Sequence, residues 1–128
     1  MRLLLDTCIL YDWLMGEIKN QPIIERIQAE GAVVSSVSVW EMTIKNGLGK
    51  MPLPTLQIAE AIESLGFQWL PITPYHAQSV LGLGDYHKDP FDRLLIAQAK
   101  YESMTVVTYD AIFQNYLDDV IFIRKRDA

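Results

Sequence analysis

Cysteine and histidine are scarce in this chain. Of 128 residues one is cysteine and two are histidine. A lone cysteine excludes an internal disulfide framework and a cysteine-based zinc site. Cys8, at the start of a helical segment, reads as a small core residue rather than a nucleophile. His87-Lys88-Asp89 offers a His-x-Asp pair for a transition metal, but no second histidine lies near it, because His76 falls within a helical segment. Glycine-rich phosphate loops, a Ser/His/Asp order and Cys/His pairings are all missing, so acyl transfer and nucleoside triphosphate hydrolysis have no support. No apolar run approaches the length of a membrane span, and the first residues lack the regions of a signal peptide. The expectation is a soluble cytoplasmic protein. Basic charge is short as well: 11 Lys and Arg against 16 Asp and Glu give a net charge of −5. That balance argues against a passive nucleic-acid binder. It is compatible with a nuclease whose acids gather around metal ions. The basic residues are too scattered to mark a track for a polyanion.

What the chain does have is apolar content. A hydrophobic fraction of 50% against 21% charged residues predicts a folded protein, and the length fits one domain over residues 1–128. Part of that apolar surplus is surface that a partner would cover.

Leu3-Leu4-Leu5 is a short unbroken apolar run, the pattern of a strand buried on both faces in a parallel sheet. It stops at a carboxylate, Asp6, where open α/β sheets place their ligand crevice. Strand-like runs recur at Ala32–Ser35, Phe67–Ile72, Met104–Thr108 and Val120–Ile123, and Pro71 puts the third of these at an edge or at its own end. Helical segments alternate with them. Thr7 is expected to cap the first, Asn20 and Pro22 open the second, and Ser38 to Glu41 opens the third. Thr55 caps a fourth, Thr73-Pro74 starts a fifth, Asp89-Pro90 opens a sixth, and a short one follows Asp110. The aromatic side chains of Trp13, Trp40, Trp69 and Phe91 are assigned to the core. Residues 124–128 form a charged tail, expected to be mobile. The alternation predicts a parallel sheet covered by helices on both faces.

Several acids follow strands or open helices: Asp6, Glu41, Asp89, Asp92 and Asp110. If the strands run parallel, Asp6, Glu41 and Asp110 gather at one edge of the sheet. Carboxylates crowded together raise one another's pKa unless a cation joins them. Oxygen-only clusters suit Mg²⁺ or Mn²⁺, which in turn suits phosphodiester hydrolysis. Each acid also has a structural alternative. Ser38-x-x-Glu41 matches a capping box, Asp89 and Asp110 can cap helices, and Asp92 complements a helix dipole.

Four motifs add a resemblance. Leu3-Leu4-Leu5-Asp6-Thr7 resembles the opening of PIN-domain proteins. Ser35-x-x-Ser38-x-Trp40-Glu41-Met42-x-Ile44-Lys45, followed by Gly49-Lys50-Met51, resembles the second motif of one subgroup. His87-Lys88-Asp89-Pro90-Phe91-Asp92-Arg93-Leu94-Leu95-Ile96-Ala97-Gln98-Ala99 resembles that subgroup's most distinctive block, and Thr108-x-Asp110 with Phe113 and Tyr116 resembles the last motif. They run in order through nearly the whole chain, and the subgroup is that of VapC-like toxins of toxin–antitoxin pairs. The resemblance implies a three-layer α/β/α fold with a central, mostly parallel five-stranded sheet. It implies a Mg²⁺- or Mn²⁺-dependent endoribonuclease, a homodimer, and a small VapB-like antitoxin whose C-terminal segment occupies the groove. It assigns the catalytic acids to Asp6, Glu41, Asp92 and Asp110, with Asp89 as an additional acid. Asp6, Asp92 and Asp110 are the expected metal ligands, and Glu41 either ligates or acts as general base. Thr7, Ser38 and Thr108 are expected to fix these carboxylates by hydrogen bonds. Lys45 and Arg93 are expected either at a phosphate or paired with the acids. The competing reading is a catalytically inactive PIN-like protein-binding module, in which Asp6→Asn would change stability alone.

Overall fold

A computed structural model describes residues 2–125. Its strands are β1 (Leu3–Leu5), β2 (Val33–Ser35), β3 (Gln68–Leu70), β4 (Thr105–Thr108) and β5 (Val120–Phe122). The helices are α1 (Thr7–Leu14), α2 (Gln21–Glu30), α3 (Ser36–Gly47), α4 (Ile58–Ser64), α5 (Pro74–Ser79) and α6 (Pro90–Glu102), with 3-10 turns at Val80–Gly82 and Ala111–Asn115. From residue 126 the charged tail lies outside the described residues.

The sheet order is β3-β2-β1-β4-β5 and every pairing is parallel. The leucine run forms its centre. Leu4 pairs in register with Val33 on one side and Val106 on the other. Alternation at period two then builds two cores. Leu3 and Leu5 pack with Ile9 and Leu10 of α1, Ile27 of α2 and Ile62 of α4. Leu4 packs on the opposite face with Leu95, Ile96 and Ala99 of α6 and with Phe113. The result is the three-layer α/β/α arrangement. Pro71 follows β3 directly, and β3 is an edge strand, where a missing ladder donor costs nothing.

The winding of the chain reverses between β1 and β4, since β2 and β3 lie on one side of β1 and β4 and β5 on the other. That switch point opens a crevice at the carboxyl ends of the strands. Asp6 follows β1 and Asp110 follows β4 at this edge.

Local details differ from the sequence-based expectations in physically informative ways. Asp6, not Thr7, caps α1, its Oδ1 accepting from the Ile9 amide at 2.8 Å. The third helix begins at Ser36 with Ser35 as its cap, so Glu41 lies in the second turn and no capping box forms with Ser38. Ser35 wins because its hydroxyl is also tied to Gln98 of α6, a long-range contact that sequence spacing does not reveal. No side chain caps α4; the Thr55 hydroxyl accepts from the Gln57 amide in the preceding turn instead. Trp40 is 55% exposed rather than in the core, and makes an edge contact with Phe91 at 5.2 Å between ring centroids. Cys8 is exposed rather than buried.

A demanding buried polar junction lies on the α5–α6 side of the fold. His76 is 1% exposed. Its Nδ1 accepts from the Thr73 amide at 3.0 Å, and its own amide donates to the Thr73 hydroxyl at 3.1 Å. Nε2 therefore carries the proton and donates to Glu102 at 2.8 Å, tying α5 to α6. His76→Ala leaves a cavity and an unpaired Thr73 amide, so it is expected to lower stability by about 2–4 kcal/mol. A shift of the urea midpoint at unchanged m-value measures it, and an unchanged midpoint contradicts it.

Candidate metal centre

Asp6 is held more firmly than any other acid of the set. Its carboxylate is 4% exposed, accepts from the Ile9 amide, and receives the Thr108 hydroxyl at 2.5 Å. Burial pushes its pKa up to about 7, with repulsion from Asp92 and Glu41 adding to it against the lowering effect of the two hydrogen bonds. The Thr108 hydroxyl also accepts from the Asp110 amide at 2.9 Å, so one side chain aligns two of the acids. Asp110 in turn caps the 3-10 turn through the Ile112 amide at 3.0 Å.

Asp92 lies in the first turn of α6, and burial followed by repulsion from Asp89 pushes its pKa up to about 6. Asp89 is the cap of that helix, its Oδ1 accepting from the Phe91 and Asp92 amides at 2.8 and 3.0 Å. Glu41, on α3, is 3% exposed. Its Oε2 accepts from Lys45 at 2.5 Å, one helical turn away, while its Oε1 is buried without any hydrogen-bond partner. An unpaired buried carboxylate oxygen costs about 1–3 kcal/mol or more, so it marks a position that wants a further partner. The bond to Glu41 raises the Lys45 pKa and keeps that amine charged.

The fold thus brings Asp6, Glu41, Asp92 and Asp110 to the same edge of the sheet. Asp6, Glu41 and Asp92 repel one another, and Asp110 joins Asp6 through Thr108. Other residues of the expected set stand slightly apart. Thr7 and Ser38 bond each other at 2.9 Å rather than a carboxylate. Arg93 meets no acid among the described contacts. Its Nη1 donates to the carbonyls of Gly84 at 2.9 Å and His87 at 3.0 Å and to the Tyr116 hydroxyl at 3.3 Å. Cys8 sits close enough to Asp6, Glu41 and Asp92 for their charge to act on it. Desolvation around its sulfur, with that repulsion, pushes the thiol up to about 12. Given its exposure, the repulsion is the firmer cause, and either one makes it a poor nucleophile.

Sequence reasoning paired His87 with the wrong acid. The Asp89 carboxylate is committed to its helix cap, so His87 turns to Asp92 and Asp110 instead. Its Nε2 lies 2.7 Å from Asp92 Oδ2 and 3.3 Å from Asp110 Oδ2. The usable signal was its place in the block that also supplies Asp92, five residues on. A separate concave patch, lined by Arg2, Glu30, Gly31 and Gln68, lies at the opposite edge of the sheet and gathers no comparable set of acids. Among the described residues no helix is long and apolar enough to cross a membrane.

The PIN domain profile matches residues 3–117. No curated protein sequence matches the chain. Solved structures with a similar fold include FitAcB from Neisseria gonorrhoeae, at 21% identity and a TM-score of 0.66, covering 94% of this chain and 96% of that one. DNA-bound VapBC from Salmonella typhimurium is similar at 16% identity and a TM-score of 0.68, covering 96% and 97%. A toxin–antitoxin complex from Klebsiella pneumoniae is similar at 16% identity and a TM-score of 0.63, covering 93% and 95%. The parallel sheet, the acids at its carboxyl edge and a profile that runs from β1 past Tyr116 agree, and the chain belongs to the PIN domain family.

Proposed function

We propose that the protein is a divalent-metal-dependent endoribonuclease and the toxin of a toxin–antitoxin pair. Nuclease activity is general in the PIN domain family, which supports hydrolysis of a nucleic acid. One similar fold is that of a toxin–antitoxin complex, and others are those of FitAcB and DNA-bound VapBC, which supports an antitoxin partner. RNA as substrate and a homodimer follow from the resemblance of the motifs.

The observation that carries the metal reading is the buried, unpartnered Oε1 of Glu41 beside two acids with raised pKa values. A crowd of carboxylates that holds protons near neutral pH lacks positive charge, and an oxygen-rich donor set of this kind fits Mg²⁺ or Mn²⁺. Asp6, Asp92 and Asp110 would hold the cation. When bound, it supplies an acidified water and neutralises charge on the leaving oxygen. Asp6 contributes rigidity, since the end of β1 and two hydrogen bonds fix its oxygens. Glu41 holds the proton of the attacking water on Oε1, while Lys45 keeps Oε2 in place. Asp89 orders the first turn of α6 and so aims Asp92.

Glu41→Gln separates these roles. It is expected to slow RNA cleavage by about a hundredfold or more, the scale of a lost general base, with Mn²⁺ affinity kept within about threefold. Cleavage of a mixed RNA pool with and without chelator, beside Mn²⁺ titration calorimetry of the same preparations, tests both statements. If neither the wild type nor the variant binds Mn²⁺ or cuts RNA, the chain is an inactive binding module.

A further inference from the structure

The imidazole of His87 is not needed by the four-acid reading, yet it is built into the centre. Its backbone is held from both sides. The amide donates to the Tyr116 hydroxyl at 2.8 Å, and the carbonyl accepts from Arg93 at 3.0 Å. Tyr116 is itself anchored, its hydroxyl donating to the Gly84 carbonyl at 2.8 Å. The ring rests edge-on against Phe113, a fully buried core residue, at 6.5 Å between centroids. A surface-loop histidine has no need of such support, and this one has 18% of its side chain exposed. All of it aims Nε2 between Asp92 and Asp110.

The spacing of these atoms is informative. Adjacent ligands of an octahedral ion bound at 2.0–2.1 Å stand roughly 3 Å apart. Nε2 is 2.7 Å from Asp92 Oδ2 and 3.3 Å from Asp110 Oδ2, and one donor atom from each of the three residues falls within 4.8 Å of the others. The 2.7 Å contact is a hydrogen bond, and a cation shared by these three residues would take the place of its proton at similar separations. Glu41, whose charge bears on Asp92, keeps a buried Oε1 without a partner, an independent observation that this group of acids wants a further donor or cation.

We propose that His87 is a nitrogen ligand of the divalent cation, and that it biases the centre toward Mn²⁺ over Mg²⁺. This rests on the metal reading above. Imidazole suits the first-row transition ions, whereas Mg²⁺ prefers an all-oxygen sphere. Arg93 and Tyr116 are then positioning residues, acting on the metal through the backbone of His87. This gives Arg93 a role that contact with an acid or a phosphate does not require.

The test is Mn²⁺ binding to the full chain, followed by electron spin resonance and by pulsed detection of ¹⁴N coupling. The source of a nitrogen signal is unambiguous. The other histidine, His76, is buried on α5 with both ring nitrogens already bonded. The wild type is expected to bind Mn²⁺ with a ¹⁴N modulation characteristic of imidazole. His87→Ala, with its thermal transition checked against the wild type, is expected to lose that modulation. It should also weaken Mn²⁺ about tenfold or more and Mg²⁺ less than about threefold. Arg93→Ala is expected to reduce the modulation with His87 still present. Bound Mn²⁺ without ¹⁴N modulation overturns the proposal and leaves the oxygen-only centre standing. Tighter binding of both metals in His87→Ala also overturns it, because His87 would then be a competing cation. No Mn²⁺ binding to folded wild type overturns the proposal and the metal reading together.

Discussion

Asp6→Asn is expected to abolish saturable Mn²⁺ binding and to reduce cleavage by about ten-thousandfold, the equivalent of several kcal/mol of lost charge stabilisation by the metal. It is also expected to make the metal-free protein more stable above pH 7, an effect that a role in chemistry alone does not require. In the folded chain burial lifts the Asp6 pKa from 3.8 to about 7. Between those values the folded state binds a proton that the unfolded chain has released. Stability therefore falls as pH rises through that window, by an amount on the order of 4 kcal/mol by pH 7. An asparagine side chain carries no charge and escapes this penalty. The exchange has one local cost. The amide oxygen of the variant can still accept from the Ile9 amide, but its NH₂ group replaces the oxygen that receives the Thr108 hydroxyl. An orphaned hydroxyl hydrogen costs about 1–3 kcal/mol, which is less than the relief. Melting curves in chelator at pH 4 and pH 8 give the readout. The variant should melt above the wild type at pH 8, and the advantage should vanish or reverse at pH 4. A variant less stable at both pH values contradicts the account of Asp6 as a charge held out of water.

The legibility of this molecule in its sequence depended on how local each cause is. Leu3-Leu4-Leu5 needed no context: three consecutive apolar residues ending at an acid specify a two-face-buried strand, and the structure places them at the centre of the sheet. Pro71 announced an edge or the end of its strand for the same local reason, and both hold. The convergence of Asp6, Glu41 and Asp110 was legible only through the inference that all strands run parallel, and Asp92 joined them only through the resemblance of its motif. The start of α3 was not legible, because Ser35, Ser36 and Ser38 are all competent caps. The choice was made by Gln98, distant in sequence, which holds the Ser35 hydroxyl. Thr7 and Ser38 differ from expectation for a related reason: they share one hydrogen bond with each other, which commits one of the two hydroxyl hydrogens, and neither has a described bond to a carboxylate. Trp40 carried no local mark of exposure. Its helix is amphipathic, and only the placement of α3 beside α6 turns the indole outward against Phe91. His87 was misread because Asp89, two residues on, spends its carboxylate on the cap of α6, whereas the first turn of that helix brings Asp92 to the imidazole.

Metal affinity is expected to collapse with acid, and the midpoint of that collapse reports the pair of carboxylates rather than the water on the ion. Asp6 is raised to about 7 and Asp92 to about 6, in each case first by burial and then by neighbouring acids. A cation can bind these oxygens only after their protons leave. At pH 8 both are ionised and binding releases almost nothing. At pH 5 both are protonated, and ligation must expel about two protons from a coupled pair. Treating those values as the pair's two steps, Mn²⁺ affinity should fall about a thousandfold from pH 8 to pH 5. Ordinary aspartates, ionised throughout that range, would lose less than about tenfold. Calorimetry in two buffers of different ionisation enthalpy counts the released protons directly. In His87→Ala, where the carboxylates alone set the count, the number of released protons should rise from near zero at pH 8 toward two at pH 5. Asp92→Asn should lower that count by about one, provided its remaining ligands still hold Mn²⁺ measurably. A flat affinity across this range would mean that the carboxylates are already relieved of one another without a metal. The lone Oε1 of Glu41 would then need a different partner, and Lys45, already committed to Oε2, is not placed to be it.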